Sequence, residues 1–319
     1  MKKLAAAACA ALALSGTPAL SADMRVYKAP PAPVYENPFD IAFGGAIMSD
    51  YNFRGISQSN NRPSVYSYFE GRYNLNKDLQ LYAAIAGESV SLPNRAAAEI
   101  DIYAGIRPTF GKLSFDFGAW YYLYPGGQEF GPTAIAVAPA LPNGNVIKRD
   151  LSYYEVFGKT ALIVNDYLTL GASVWYSPSW LNSGADGTYL SGTFKATIPS
   201  AFLPKDVGAF WSGELAHYWL GTTDGFYGVP AFPLGVDLPD YTTWNIGLAF
   251  TWKVFTLDLR YHDTDRSRAD CNVLTGDHTA TFNAANITAT NPGGLGSRWC
   301  GPAGIVKLAV DLTVKDHLK

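Results

Sequence analysis

Charged side chains recur at every second position in segments that are otherwise apolar. Glu99 and Asp101 alternate with isoleucines, and Lys307 and Asp311 alternate with valine and leucine. Because successive residues of a β-strand point to opposite faces, each such segment has one charged face and one apolar face. Charged faces turned toward a shared interior would line a polar passage, in which rings of acidic side chains favour cations.

The same register, applied to every predicted strand, places eleven acidic and seven basic side chains on the inner face. The acidic residues are Asp40, Asp50, Glu70, Glu88, Glu99, Asp101, Asp116, Glu155, Glu214, Asp258 and Asp311. The basic residues are Arg54, Arg72, Arg107, Lys159, Lys195, Arg260 and Lys307. We expect a mildly cation-favouring interior, although a network of ion pairs that partly closes the passage fits the pattern equally well. The predicted pore-lining residues are Asp50, Arg54, Glu70, Arg72, Glu99, Asp101, Arg107, Asp116, Glu155, Lys159, Arg260 and Asp311.

Residues suited to catalysis are sparse. A lipid-hydrolysing barrel would need a histidine and a serine close together at its outer rim. His217 lies on a suitable strand, but its neighbours on the same face are Leu215 and Trp219. We therefore predict that the protein is not an enzyme.

A calcium loop is equally poorly supported. His262 is followed by Asp263 and Asp265, which resemble an acidic ion-binding loop only loosely. Arg268 stands where such a loop needs glycine, and Leu274 stands where it needs the closing carboxylate. The sequence therefore predicts no metal site and no cofactor, and these residues are interpreted as solvated loop positions.

The elements that carry the charged residues are predicted to be twelve strands. They span about 39–54, 64–73, 78–88, 99–107, 113–119, 151–163, 167–176, 188–198, 207–219, 243–252, 255–262 and 306–314. Their connections alternate between five short turns, at 74–77, 108–112, 164–166, 199–205 and 252–254, and six long loops, at 55–63, 89–98, 125–150, 177–187, 221–240 and 263–303. Aromatic residues flank both sets, including Tyr73 and Trp252 at short turns and Trp180 and Tyr241 at long loops, as interface girdles do.

This pattern predicts an all-β fold, a transmembrane antiparallel up-and-down β-barrel of about twelve strands over residues 39–319. Alternation alone is also compatible with a soluble sandwich, but the short-turn and long-loop asymmetry favours the barrel.

The net charge of −3 and a pI near 5.8 argue against nucleic acid as a partner. A mean hydropathy of +0.00 argues against a bundle of membrane helices.

The first residues resemble an export signal. Lys2 and Lys3 precede an apolar run, and small residues near Ala22 offer a cleavage site, so we predict a signal peptide over 1–22. Cleavage after Ser21 is the alternative. Residues 23–38 are proline-rich and are predicted to form an extended periplasmic segment.

The end of the first strand carries a distinctive motif. Residues 49–59 read SDYNFRGISQS, with Pro63 shortly after. This stretch resembles the N-terminal signature of the TorF-type porins, a resemblance that implies an outer-membrane barrel of channel function with no assigned substrate. The predicted register puts Asp50 and Arg54 in the lumen and Tyr51 and Phe53 toward lipid, with Gly55 allowing the chain to turn inward or over the rim.

The Asp50/Arg54 pair has two readings. It could form a constriction of the passage, or it could be a latch that ties the first loop down, and the latch is favoured.

Cys271 and Cys300 are predicted to form a disulfide, because they are an even pair in an exported chain. Their loop would either cap the pore or resist proteolysis, and protection from proteolysis is favoured.

Together these features predict a bacterial outer-membrane channel for passive diffusion of small hydrophilic solutes or ions. The alternatives are a structural or adhesive barrel that acts through its loops and, with less support, a lipid hydrolase. The expected partners are outer-membrane lipids and lipopolysaccharide, the barrel assembly machinery and the solutes themselves. A homo-oligomer is compatible with the sequence, and the solute is not specified by it.

Overall fold

Twelve antiparallel strands close into a barrel in the computed structural model, which describes residues 38–131 and 139–318. The strands are β1 (Phe39–Met48), β2 (Ser64–Asn76), β3 (Leu79–Glu88), β4 (Glu99–Phe110), β5 (Leu113–Leu123), β6 (Tyr153–Ile163), β7 (Leu168–Ser177), β8 (Gly187–Thr197), β9 (Val207–Leu220), β10 (Tyr241–Trp252), β11 (Phe255–Thr264) and β12 (Ala303–Thr313). The predicted fold class and strand number are confirmed. The predicted signal peptide and nearly all of the proline-rich segment lie outside the described residues.

The barrel closes because β1 pairs with both β2 and β12. The ladder to β12 runs from Ala42 opposite Thr313 to Met48 opposite Lys307. All other neighbours along the wall are consecutive in the chain. Each barrel strand therefore has two partners, and no strand edge is left to be satisfied by surrounding lipid.

The period-two pattern separates an apolar outer surface from a polar interior. On β4, Ile102 and Ile106 are exposed on the outside, whereas Asp101 and Tyr103 are buried inside. The same alternation of exposed and buried residues runs along β2 and β3. Within the described part of the chain, no helix is long and apolar enough to span a membrane.

The first strand is shorter than predicted. It ends at Met48, and the chain then folds into the barrel as loop 1 (residues 49–63), which contains a two-residue hairpin of Asn52–Phe53 and Ile56–Ser57. The carboxylate of Asp50 causes the turn, because its Oδ1 accepts hydrogen bonds from Ser57 Oγ (2.6 Å) and Ser59 Oγ (2.8 Å).

Loop 1 reverses the predicted orientation of its aromatic residues. Tyr51 donates a hydrogen bond to Glu99 on the inner wall, and the ring of Phe53 lies 5.8 Å from that of Tyr122. The prediction that Tyr51 and Phe53 face lipid is therefore wrong. Gly55, at φ +85°, lies so close to the wall that a Cβ would collide with Thr243.

Two of the residues assigned to the outer girdle are also internal. Trp180 and Tyr241 are almost fully buried, whereas Tyr73 and Trp252 are exposed beside short turns as predicted. The Tyr241 hydroxyl donates to the backbone carbonyl of Arg54 at 3.0 Å. An aromatic residue next to a long loop in the sequence can therefore lie either in the outer girdle or, like Trp180 and Tyr241, buried beneath the loops.

The long connections fold together into a cap on one end of the barrel. The last of them contains α1 (Arg268–Thr275), which begins after the capping side chain of Ser267 and ends at Gly276 in the left-handed region. Shorter elements are the paired strands Thr281–Phe282 and Leu295–Gly296 and the 3-10 helices Trp180–Asn182, Gly225–Tyr227 and Ala284–Asn286. At the opposite end lie the 3-10 helix Ser200–Phe202 and α2 (Val314–His317).

The predicted disulfide is present. Cys271 in α1 is bonded to Cys300, with a Cα–Cα distance of 5.8 Å. Next to it, Trp299 is 2% exposed and its Nε1 donates to Asn60 of loop 1 at 3.0 Å. The cysteine loop is therefore part of a packed cap that contacts loop 1, and its two predicted roles, capping the pore and resisting proteolysis, stay predictions.

Candidate functional site: the barrel lumen

One side of the lumen, along β2 to β5, is filled by an ion-pair network. Arg107 forms two hydrogen bonds to the carboxylate of Glu70, at 2.8 and 3.0 Å, and its Nε lies 3.4 Å from Asp116. Arg72 Nε also donates to Glu70 at 2.6 Å. The guanidinium of Arg107 lies 3.6 Å from the ring centroid of Tyr82, whose hydroxyl donates to Asp116. We call these residues the Arg107 network.

A second cluster fixes loop 1 at the centre of the barrel. Arg54 forms two parallel 2.7 Å hydrogen bonds to the carboxylate oxygens of Glu155 on β6. The two side chains are 6% and 0% exposed. Charge-assisted bidentate pairs of this kind are short and geometrically specific.

Aromatic rings complete the environment of Arg54. The Cζ atom lies 4.4 Å from the ring centroid of Tyr189, 5.1 Å from Tyr218 and 5.3 Å from Trp175. Tyr218 also accepts a 3.1 Å hydrogen bond from Arg54 Nη1. These contacts hold Arg54 at φ +51°, a backbone conformation that is uncommon for a residue other than glycine.

The predicted Asp50/Arg54 pair does not form. Asp50 accepts hydrogen bonds from serines of its own loop, whereas Arg54 reaches across the lumen to Glu155. The pairing prediction is wrong because both residues are in an inward-folded loop rather than on one face of a strand. Loop 1 is nevertheless tied down, through Arg54 and Glu155.

Below loop 1 lies a cavity of about 190 Å³, which we call the lumen cavity. Residues 50–55 lie along it, together with Arg260 and Lys307 on β11 and β12. Arg260 donates to Asp258 (3.0 Å), to Asn245 (2.6 Å) and to Ser212 (2.6 Å). The cavity is therefore lined by charged and polar side chains of β11 and β12 and, on the other strands, by aromatic rings such as Trp120 and Tyr189.

The other predicted pore-lining residues are also internal. Asp311 accepts a hydrogen bond from Tyr68 at 3.0 Å, and Lys159 lies against the rings of Phe157 and Trp175. Glu99 and Asp101 are buried on β4 close to Glu88, and one oxygen from each of these three carboxylates lies within 4.8 Å of the others. We call Glu88, Glu99 and Asp101 the acidic cluster.

The histidines considered for chemistry are separated. The Nδ1 atom of His217 lies 2.9 Å from Thr242 Oγ1, and its ring packs beside Trp219. His262 lines the lumen cavity, whereas Asp263 accepts a hydrogen bond from Tyr261 and Asp265 one from the backbone of Thr242. The structure does not bring His262, Asp263 and Asp265 into one site, and His262 is a strand residue rather than a solvated loop residue.

The prediction missed how aromatic the lumen is. Tyr103 stacks on Trp120 with ring centroids 3.7 Å apart, and Tyr122 stacks on Tyr153 at 4.5 Å. The period-two register was sufficient to find these rings, because each shares a face with a predicted inward charge. The predicted register places Tyr103 on the inner face of its strand with Asp101, but its stacking partner Trp120 is on the neighbouring strand, and alternation within one strand does not predict such pairs.

A closed antiparallel barrel with an apolar exterior and a charged, partly filled interior defines a membrane-type β-barrel protein. The chain belongs to a family described as bacterial protein of unknown function (Gcw_chp), whose sequence model matches residues 34–290. No curated protein sequence matches the chain. The specific resemblance to TorF-type porins stays a prediction.

Three solved structures are similar to this chain at low sequence identity. The NanC porin is 10% identical, with a TM-score of 0.41 over 85% of this chain and 98% of that one. The KdgM porin is 10% identical, with a TM-score of 0.39 over 86% and 97%. LpxR from Salmonella typhimurium is 9% identical, with a TM-score of 0.41 over 85% and 99%.

Proposed function

We propose that this protein is an outer-membrane channel for small hydrophilic solutes or ions, and that it is not an enzyme. The observation that carries the proposal is the lumen cavity, which is lined by charged side chains, Arg260 and Lys307 among them, as well as by aromatic rings, inside a barrel whose outer surface is apolar. A barrel with a purely structural role needs no such space, since its interior can be filled by side chains. The TorF-type signature at residues 49–59 supports the same function.

Loop 1 narrows the proposed passage. It enters the lumen and is held there by the pair between Arg54 and Glu155. Removing Arg54 leaves Glu155 buried without its charged partner, a change that costs about 3 to 5 kcal/mol in comparable pairs. We therefore propose that release of loop 1 from Glu155 widens the channel.

Single-channel recording in planar bilayers tests this function. We expect small conductance steps from the natural protein, and larger or longer openings from the double variant Arg54→Ala/Glu155→Gln, which removes both charges of the pair. Arg298→Ala is the matched control, because it removes an exposed arginine of the cap and should leave the conductance unchanged. Absence of steps from both the natural protein and the folded double variant would contradict the proposal.

The packed cap supports a second candidate function, that of a structural or adhesive barrel that acts through its loops. Its disulfide and its contact between Trp299 and Asn60 make a preformed surface rather than a set of separate loops. This candidate predicts no conductance, together with loss of surface attachment when residues 277–296 are deleted. Bilayer recording therefore distinguishes the two functions.

A further inference from the structure

The acidic cluster lies where β3 ends and β4 begins, at the cap end of the lumen. Glu88 is the last residue of β3 and is directly opposite Glu99, the first residue of β4, while Asp101 is two residues further along the same face. The three side chains are 5%, 2% and 3% exposed, respectively. Like charges opposite each other on paired strands repel, and burial removes the water that would screen them.

The protein supplies little to balance these charges. Glu99 is satisfied, because its two oxygens accept hydrogen bonds from Tyr51 (2.8 Å) and Tyr124 (3.0 Å). In contrast, Glu88 Oε2 and Asp101 Oδ1 are buried and accept no hydrogen bond of normal geometry from the described residues. The indole N–H of Trp120, which also lacks a normal partner, is the neutral donor beside Asp101.

Basic side chains do not reach the cluster either. Within residues 38–131 and 139–318, no lysine, arginine or histidine lies within 4.0 Å of these three carboxylates. The nearby cation, Arg54, is engaged with Glu155. Glu88 and Asp101 therefore each have a buried oxygen without a hydrogen bond, and both belong to a group of three carboxylates that has no positive partner within 4.0 Å.

We propose that the acidic cluster binds one Ca²⁺ ion. Oxygens that bind the same ion can be at most twice the metal–oxygen distance apart. For Ca²⁺, at about 2.3 to 2.6 Å, this limit is about 4.6 to 5.2 Å, whereas for Mg²⁺ it is only about 4.2 Å. Oxygens that lie within 4.8 Å of one another fall inside the calcium limit, and calcium also accepts irregular carboxylate sites, whereas magnesium demands near-ideal octahedral geometry.

The position of the site gives the ion a role in holding loop 1. Tyr51 belongs to loop 1 and Tyr124 follows β5, and both donate to Glu99. An ion that fixes the carboxylate of Glu99 fixes the acceptor of both tyrosines. Calcium is therefore expected to tighten the attachment of loop 1 and of Tyr124 to the barrel wall. The binding itself does not depend on the proposed channel function.

Calorimetric titration of the full-length folded protein with Ca²⁺ tests the proposal, with Mg²⁺ titrated separately. We expect one Ca²⁺ per barrel and weaker binding of Mg²⁺. The variant Glu88→Gln/Asp101→Asn should bind Ca²⁺ at least about tenfold more weakly, because loss of even outer-shell partners costs about 10- to 100-fold. Glu214→Gln is the matched control and should leave Ca²⁺ binding unchanged. Glu214 is also a buried acid of the lumen, but it lies outside the acidic cluster and both of its oxygens accept hydrogen bonds, from Tyr189 and Asn245.

A second measurement covers the case in which the double variant does not fold. Terbium(III), which takes the same oxygen ligands as calcium, should show emission sensitised by Tyr51 and Tyr124 in the natural protein, and excess Ca²⁺ should abolish it. Absence of calcium binding to the natural protein would overturn the proposal, because protons would then balance the cluster. Unchanged affinity in the folded double variant, or no sensitised emission, would also overturn it.

Discussion

Arg54 shows how one buried charge determines where a loop lies. Its guanidinium has a bidentate carboxylate partner and three aromatic neighbours on the barrel wall, Tyr189, Tyr218 and Trp175. A buried ion pair is weak evidence of added stability, because desolvation offsets much of the Coulomb attraction. The pair instead determines where Arg54 lies. Glu155 is fully buried inside the lumen, and both of its carboxylate oxygens accept hydrogen bonds from Arg54. The pair thus accounts for the inward position of loop 1.

His278 in the cap provides a pH-dependent prediction at the same scale. Burial lowers its pKa below the ordinary value of about 6.5, and Arg62 and Arg95 lower it further, while Asp277 opposes the shift. The unfolded cap therefore takes up the proton at a higher pH than the folded cap. Stability contributed by neutral His278 is complete above about pH 6.5 and is lost as the pH falls below that value.

We expect hydrogen exchange in residues 265–302 to accelerate between pH 7.5 and pH 5.5, after correction for the intrinsic rates. His278→Gln should remove part of this pH dependence, because glutamine does not titrate. An identical pH dependence in the variant would show that another group controls the cap.

At the scale of the strands, alternation and turn asymmetry predicted the barrel well. Most strand ends were placed within a few residues, because inward and outward positions differ sharply in polarity at each strand. The prediction failed at residues 49–54, where the alternation of Asp50, Tyr51, Asn52, Phe53 and Arg54 continues in a local hairpin. Inward and outward residues alternate in a local hairpin just as they do in a barrel strand. The sequence pattern therefore does not show that the chain departs from the barrel wall after Met48.

The register also predicted which charges face inward, but not their partners. Glu70, Arg107 and Asp116 were all assigned to the lumen, and the structure joins them in one network. Arg54 and Glu155 are 101 residues apart in sequence, and their contact depends on how loop 1 enters the barrel. Contacts across the lumen depend on which strands face each other once the barrel is closed. The alternation of residues along a single strand gives no information about this arrangement.

A pair of arginine substitutions on β10 tests the two faces of the wall. Leu248 is on the outer face, and Leu248→Arg should destabilise the folded barrel by about 2 to 4 kcal/mol, because a charge is placed in hydrocarbon. Asn245 is on the inner face between Glu214 and Arg260. Asn245→Arg should leave assembly intact, because Glu214 can pair with the new arginine and Arg260 keeps its hydrogen bonds to Asp258 and Ser212. Unfolding in urea from lipid vesicles measures both, and equal losses would show that the register is wrong.

The whole molecule combines a continuous wall with a partly filled interior and a folded cap. All twelve strands are hydrogen-bonded on both sides, so unfolding cannot begin by peeling an edge strand. We expect the detergent-folded protein to migrate differently on a gel before and after boiling, because the unboiled barrel stays compact. Identical migration of the two samples, with the disulfide reduced in both, would contradict a closed barrel.

The closing ladder between β1 and β12 can be tested by truncation. Residues 316–319 follow the last strand, and deleting them leaves every β1–β12 pair in place, so we expect assembly to be normal. Deleting everything after Asp311 removes the partners of Ala42 and Phe43, and their backbone groups would then lack hydrogen bonds inside the membrane. This longer truncation should abolish assembly, measured as the amount of protease-resistant barrel recovered in outer membranes. Normal assembly of the longer truncation would mean that β12 does not close the barrel.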